Sequence, residues 1–422
     1  EVEILTLEDC LRIGIDNNLS LEGKRKEIQR SKYGVSENRS KLLPQINAIA
    51  GYSNNFDPPV SVTDGSSYGV PYNITQTLQH SANAGLEMQM PLFNQTLYTS
   101  MSIAKVMEEI SRLSYGKARE DVILQISKMY YLGQVTAEQI MLIKANITRL
   151  EELRDITQAF FDNGMSMEVD LKRVNINLEN LKVQYDNAQA MMKQQLNMLK
   201  YIMDYPAEKE IALTPVNTDS ITTVALTGLS ENIYELQLSQ SQVQLAERQK
   251  KIITNGYIPS LSLTGSWRYA AYTDKGYHWF HSGPSNQWFR SYGVGLTLRI
   301  PIFDGLDKTY KIKKAMIDIE NKRLAWEDAR KNLQTQYLNA VNDLMNNQRN
   351  FKKQKDNYLL AEDVYAVTSD RYREGIASMT EVLQDEMQMS EAQNNYISAH
   401  YNYRVTNLML LKLTGQIESL VK

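Results

Sequence analysis

Two histidines, His278 and His281, stand three residues apart, a spacing that on a helix can direct two imidazoles at one metal ion. They lie, however, in a Gly-, Pro- and aromatic-rich stretch between Thr273 and Arg290, beside Trp279, Phe280, Trp288 and Phe289, with no third ligand near in sequence. Cys10 is the only cysteine, which excludes an intramolecular disulfide and any cysteine-rich metal site. Its neighbours Leu7 and Leu11 place it on an apolar helical face, where it reads as a small buried residue. No glycine-rich phosphate loop follows a strand pattern, and no nucleophile–base spacing recurs. Asn73-Ile74-Thr75 is a formal glycosylation sequon. The expectation is a protein that is not an enzyme, with no catalytic residue, no metal and no cofactor.

Composition narrows the class further. The net charge is −3 with both signs scattered, so no basic face points to nucleic acid. No run reaches the roughly 18 apolar residues that a membrane-spanning helix requires. Twenty-five tyrosines against eight phenylalanines suit surfaces that are half wet. The chain begins at Glu1 rather than Met, which fits removal of a signal peptide and fits a sequence trimmed at its start equally well.

The elements that would position any functional residue are dominated by one stretch, Asp304 to about Glu374. It has no proline, its only glycine is Gly305 at the mouth, and apolar residues recur at three- and four-residue steps. Leu333, Tyr337, Val341 and Leu344 mark a seam that Tyr358, Tyr365 and Tyr372 continue in heptad steps. This predicts a single helix spanning roughly 100 Å at 1.5 Å per residue. Such a helix cannot bury its stripe alone and must lie in a coiled coil or bundle.

Upstream, Thr6 and Asp9 form an N-cap pair that opens an amphipathic helix, interrupted near Asn17-Asn18 and resumed from Leu21 to Lys41. After Pro44 the period changes to two: Ile46, Ala48, Ala50 and Tyr52 share one face of a strand. Residues 54–79 hold Asp57-Pro58-Pro59, Asp64-Gly65 and Gly69-Val70-Pro71 and read as a loop. A second strand sets Ala82, Ala84, Leu86, Met88 and Met90 against Asn83, Gly85, Glu87 and Gln89. It exits at Pro91-Leu92-Phe93-Asn94 into a helical run that reaches Phe161, breaks at Asp162-Asn163-Gly164, and resumes from about Met167 to Asp204-Tyr205-Pro206.

The same order then recurs. Helix 231–255 leads to Pro259, 215 residues beyond Pro44, and to a strand carrying Leu261, Leu263, Trp267 and Tyr269. A fourth strand sets Tyr292, Val294, Leu296, Leu298 and Ile300 against Gly293, Gly295, Thr297 and Arg299. The exit Pro301-Ile302-Phe303-Asp304-Gly305 lies 210 residues after the first, and the break glycines Gly164 and Gly375 are 211 apart. An offset this constant indicates internal duplication.

Four strands cannot close a barrel in lipid, where exposed edges are forbidden. Three copies would supply twelve, with apolar residues outward and Gly, Ser, Thr, Asn, Glu87, Arg268 and Arg299 inward. The alternation alone suits a half-buried sheet of a soluble protein equally well.

The duplicated layout, the Pro-x-Phe-Asp-Gly strand exit and the Tyr-x-x-Gly…Val-Leu turn after the long helix (Tyr372, Gly375, Val382, Leu383) resemble the TolC-type outer-membrane factor family, from Leu7 to Gly415. The resemblance implies a mainly α chain with a membrane β-barrel: a homotrimer with a 12-stranded barrel and a coiled-coil helical tunnel. It implies one elongated unit made of two repeats, about 1–205 and 230–415. Barrel strands would lie at 44–54, 80–93, 259–273 and 289–303, the tunnel at 95–205 and 305–415, and an equatorial segment at 206–230 and 416–422. The implied function is the exit channel of a tripartite efflux pump or type I secretion system. Its partners would be a periplasmic adaptor, an inner-membrane pump and outer-membrane lipid, in a Gram-negative bacterium. Trp and Phe of the loop from Thr273 to Arg290 would seat it at the outer membrane interface. The competing reading is a soluble periplasmic coiled-coil scaffold.

By the same resemblance the two helix breaks form a tapering periplasmic tip. In the second repeat the run is Glu381-Val382-Leu383-Gln384-Asp385: the family's first acid is kept, its second position is Gln384, and Asp385 lies one residue on. A tyrosine–aspartate link across the breaks would join Tyr372 and Asp170. The family's supporting arginine is replaced by Ala377, which leaves Arg371 and Arg373 as substitutes. Tyr372, Asp170, Glu381 and Asp385 are therefore the expected gate. The small-residue turns at Gly164, Ser166, Gly375 and Ser378 are the expected adaptor docking sites.

Overall fold

A computed structural model describes residues 2–76, 78–215, 228–273 and 288–421. The chain opens with β1 (Glu3–Leu5), α1 (Leu7–Asn17), α2 (Leu19–Ser40), β2 (Gln45–Asn54), β3 (Val60–Asp64), β4 (Tyr72–Gln76) and β5 (His80–Phe93). It continues with α3 (Gln95–Asp162), α4 (Glu168–Met203), β6 (Ile211–Leu213), α5 (Tyr234–Asn255), β7 (Ser260–Thr273), β8 (Trp288–Arg299), α6 (Asp307–Arg373) and α7 (Met379–Leu413). The duplication is visible in element lengths: α2 and α5 have 22 residues each, α3 and α6 have 68 and 67, and α4 and α7 have 36 and 35.

The residues form two compact units. One comprises Gln29–Glu109 and Ser241–Lys322 and contains an antiparallel sheet ordered β2-β5-β7-β8. Register aligns the four alternating patterns. Ala48, Leu86, Trp267 and Tyr292 lie in one cross-strand row, and Ile46, Met88, Gly265 and Val294 in another. The row between them faces the other side and holds Asn47, Glu87, Ser266 and Gly293, with Arg268 donating to Glu87. A one-residue slip would exchange the faces, so the alternation that defines the strands also fixes their pairing. β2 and β8 each have a neighbour on one side only among the described residues.

Residues 54–79 differ from the loop expected. β3 and β4 pair antiparallel, Val62 opposite Ile74, around a turn in which Gly69 has φ +72°. The β-branched pairs there are too short to stand out between proline and glycine signals. The fourth strand ends at Arg299, before Ile300-Pro301, because proline can supply no N–H to continue the ladder.

The other unit comprises Glu1–Ile28, Ile110–Gln240 and Arg323–Lys422. Thr6 caps α1 with the reciprocal pair expected, Asp9 N donating to Thr6 Oγ1 at 3.1 Å and Thr6 N to Asp9 Oδ2 at 3.2 Å. The Thr6 hydroxyl, which donates to Asp9 Oδ2 at 2.6 Å, and then the Thr6 N–H hold the Asp9 carboxyl below its usual range. Asn18, at the break, caps Leu21 N at 3.1 Å and ties to the Ile202 carbonyl at 2.8 Å. Cys10 is fully buried, and burial pushes its thiol up to about 12. A parallel β1–β6 pair, invisible in so short a sequence run, is clamped by Tyr130, whose hydroxyl lies 2.6 Å from Thr214 Oγ1.

Three apolar cores hold this unit. Leu11, Ile123, Ile126, Leu199, Met203 and Leu408 meet in one, Leu150, Val174, Leu178, Tyr365, Val382 and Met389 in a second, and Val135, Tyr396 and Ile397 in a third. Each such side chain contributes roughly 1.5–3 kcal/mol on burial. The heptad series on α6 faces inward: Tyr337, Leu344, Tyr365 and Tyr372 are buried, and Phe351 and Tyr358 pack half-buried against the same cores.

Candidate functional site at the helix turns

The turns that join α3 to α4 and α6 to α7 are built alike. Gly164 adopts φ +69° and Gly375 φ +75°, left-handed values that side chains resist. Gly164 N donates to Phe161 O at 2.9 Å and Met165 N to Phe160 O at 2.7 Å. Gly375 N donates to Tyr372 O at 2.9 Å and Ile376 N to Arg371 O at 2.8 Å. This pair of hydrogen bonds to the last carbonyls ends each first helix, and the next begins after five residues, at Glu168 and at Met379. The distal helix ends also correspond, with Asp204 (φ 52°) and Gly415 (φ 70°) 211 residues apart.

The expected site residues fall around these turns. Tyr372 is buried, its ring 5.7 Å from that of Phe160 and its hydroxyl 3.3 Å from Thr157 Oγ1. Thr157 spends its own proton on Leu153 O at 2.7 Å, so Tyr372 donates and Thr157 accepts. Asp170 accepts from Arg173 Nη1 at 3.3 Å, and the same nitrogen reaches Thr380 Oγ1 on α7 at 3.3 Å. Within the chain, therefore, the Tyr372–Asp170 link is not made: each residue has a different partner. The reason is local. Tyr372 points into the apolar contact with Phe160, whereas Asp170 belongs to the first turn of α4 beside an arginine one turn on.

Two arginines tie neighbouring helices near Ala377. Arg373 reaches Asp370 at 3.4 Å and Glu152 of α3 at 3.5 Å, while Arg173 bridges α4 to α7.

Glu381 proves to be a capping residue. Its carboxylate accepts from Ser378 N at 2.9 Å, and Ser378 Oγ accepts from Glu381 N at 3.3 Å. The Ser-x-x-Glu signature of that box was legible in the sequence. Asp385 is half-buried, and the residue that enters the core is its neighbour Glu386, 4 % exposed. Burial raises the Glu386 carboxyl, opposed by the Arg149 guanidinium. Arg149 donates to Asn146 at 2.6 Å and to Glu362 at 3.3 Å, so α3 and α6 share one half-buried cation near α7. Ser166 Oγ is buried without a partner, and Met165, Met167 and Ile376 are exposed beside the turn glycines.

His278 and His281 lie outside the described residues, and among the described residues no group of three His, Cys, Asp or Glu side chains could hold a metal ion. No described helix is long and apolar enough to cross a membrane. The arrangement offers polar stitches between two duplicated helical hairpins.

A family model described as outer membrane efflux protein matches residues 13–203 and 225–416. Outer membrane protein TolC of Vibrio cholerae serotype O1 is 21% identical over 399 residues, covering 91% of this chain and 84% of that protein. The toluene efflux pump outer membrane protein TtgC of Pseudomonas putida is 23% identical over 431 aligned residues, covering 97% and 82%. Among solved structures, the open state of the Neisseria gonorrhoeae MtrE outer membrane channel superposes with a TM-score of 0.77 at 18% identity, covering 97% of this chain and 88% of that one. The outer membrane protein VceC of Vibrio cholerae superposes at 0.76 with 14% identity, covering 97% and 96%.

Proposed function

Because the chain belongs to the outer membrane efflux protein family, we propose that three copies assemble into the outer-membrane exit duct of an efflux pump or type I secretion system, passive and gated at its helix turns. The observation that carries this reading is the sheet. Its four strands are apolar on one face and polar on the other, and both edge strands lack an outer neighbour among the described residues. Lipid accepts the first face, water the second, and only closure through further copies satisfies the edges.

The helices carry a matching signal. Val169, Ile176 and Val183 on α4 are exposed at seven-residue steps, as are Leu324, Leu338, Met345 and Leu359 on α6 at steps of seven or fourteen. Unpartnered heptad seams suit a second copy of the chain. Tyr372–Thr157, Arg373–Glu152 and Arg173–Thr380 join the first-repeat hairpin to the second, and their release would let the turns separate. Glu381 and Asp385, one helical turn apart, would set a ring of carboxylates around a three-fold axis, with Tyr372 and Asp170 beside it. Gly164, Ser166, Gly375 and Ser378 would receive a periplasmic adaptor, and an inner-membrane pump would supply the energy.

Extraction from membranes tests the reading. The duct requires detergent and emerges as a trimer by native mass. Recovery in aqueous buffer as a monomer or dimer would support the scaffold reading instead.

A further inference from the structure

α7 carries a histidine that neither the gate nor the sheet uses. His400 is fully buried at the contact of α7 with α3 and α6. Arg404, one turn on, donates from Nε to His400 Nε2 at 3.0 Å. Because arginine can only donate, Nε2 accepts, and the single proton of the ring sits on Nδ1. Nδ1 faces Glu138 Oε2 of α3 at 3.5 Å, and both atoms are buried with no hydrogen-bond partner. The other Glu138 oxygen accepts from Tyr396 at 3.0 Å.

The surroundings leave little room for a charge to be solvated. From α6, Phe351 lies 4.8 Å from the His400 ring, and Tyr358 stacks on Tyr396 near Glu362. From α3, the Tyr131 ring lies 4.9 Å from the Arg404 guanidinium. From α7 itself come Tyr396 and Arg404. One carboxylate and one guanidinium thus balance around a neutral imidazole, and Tyr396 is pushed up by its burial and by Glu138.

We infer that His400, with Glu138 and Arg404, is a buried proton-binding site whose occupancy sets the packing of α7 against α3. A second proton can enter only at Nε2. There it removes the acceptor of the Arg404 bond and sets two cations at hydrogen-bond distance in a buried contact. Glu138 attracts the new charge from the opposite edge of the ring. The imidazolium is therefore drawn toward α3 while Arg404 is driven away, and α7 loses its bond across this turn. Neighbouring polar contacts such as Asn146–Gln393 at 2.7 Å make the interface one that can rearrange without exposing a wholly apolar surface. The inference stands apart from the duct reading, since it concerns one helix contact within a single copy.

Amide hydrogen exchange on the detergent-purified full chain tests it, with α7 peptides followed at about pH 7.5 and about pH 5.5 and corrected for intrinsic exchange. The parent should open about tenfold more often around Tyr396–Tyr403 at the lower pH. His400→Gln keeps an acceptor for Arg404 and takes no proton, so its protection should not change between the two. Equal pH dependence in parent and variant, or none in the parent, would overturn the site. Should His400→Gln fail to fold, Glu138→Gln decides: removing the carboxylate must move the midpoint to lower pH, and an unmoved midpoint rejects the inference. Neither outcome bears on trimer formation, which is read separately by native mass.

Discussion

The Tyr372 hydroxyl donates to Thr157 Oγ1 across 3.3 Å, joining the end of α6 to α3 at a point where both groups are buried. Its partner is the threonine one turn before the end of the opposite hairpin. Tyr372→Phe removes the donor and leaves the ring on Phe160, so it should cost about 1 kcal/mol in urea unfolding. Combined with Arg173→Ala it should raise single-channel conductance in planar bilayers. A double variant that conducts like the parent would remove these contacts from the gate.

Glu381 permits a cleaner separation of charge from structure. Gln can occupy the same position in a capping box, so Glu381→Gln should leave stability within about 0.5 kcal/mol while lowering cation preference in reversal-potential measurements. Ser378→Ala should do the reverse, costing about 1 kcal/mol with selectivity intact. If Glu381→Gln leaves selectivity untouched, the carboxylate serves only its cap.

The same distinction governs the docking prediction. Trp at Ser378 would break the cap as well as fill the turn, so a loss of efflux there would be ambiguous. Ser166, whose hydroxyl caps nothing, is the informative position. Ser166→Trp should abolish efflux in cells with membrane insertion unchanged, and surviving efflux would place adaptor contacts elsewhere.

Much of this was legible in the residues. Heptad tyrosines on α6, the Thr6–Asp9 cap, the duplicated glycine turns and the two-residue alternation each reflect one local rule, and the backbone follows them. What escaped depends on partners distant in sequence. Nothing near Arg173 announces Thr380, and the α7 run Tyr396, His400 and Tyr403 shows an inward face without showing Glu138 behind it. The burial of Glu386 was hidden for a related reason: adjacent carboxylates such as Asp385 and Glu386 lie about 100° apart on a helix, and only packing decides which turns inward.

Glu120 gives a stability prediction with a defined sign. It is 4 % exposed, and burial raises its carboxyl from 4.5 to about 7 despite the Lys412 ammonium nearby. The folded state therefore binds this proton more readily than the unfolded one. Stability from this group is full at low pH, falls as pH rises from near 4.5 through about 7, and is level above. Glu120→Gln should thus stabilise the chain at pH 8 relative to its effect at pH 5, by up to about 3 kcal/mol. A variant whose gain does not grow with pH would show that the carboxylate is not held in a dry site.

The central claim, that the paired faces and open edges of one sheet close through further copies into a conducting duct, is tested most directly by reconstitution. Detergent-purified trimer added to one side of a planar bilayer should insert as discrete conductance steps, each a single unit. Protein that remains monomeric, or that binds lipid without any step in conductance, would contradict it.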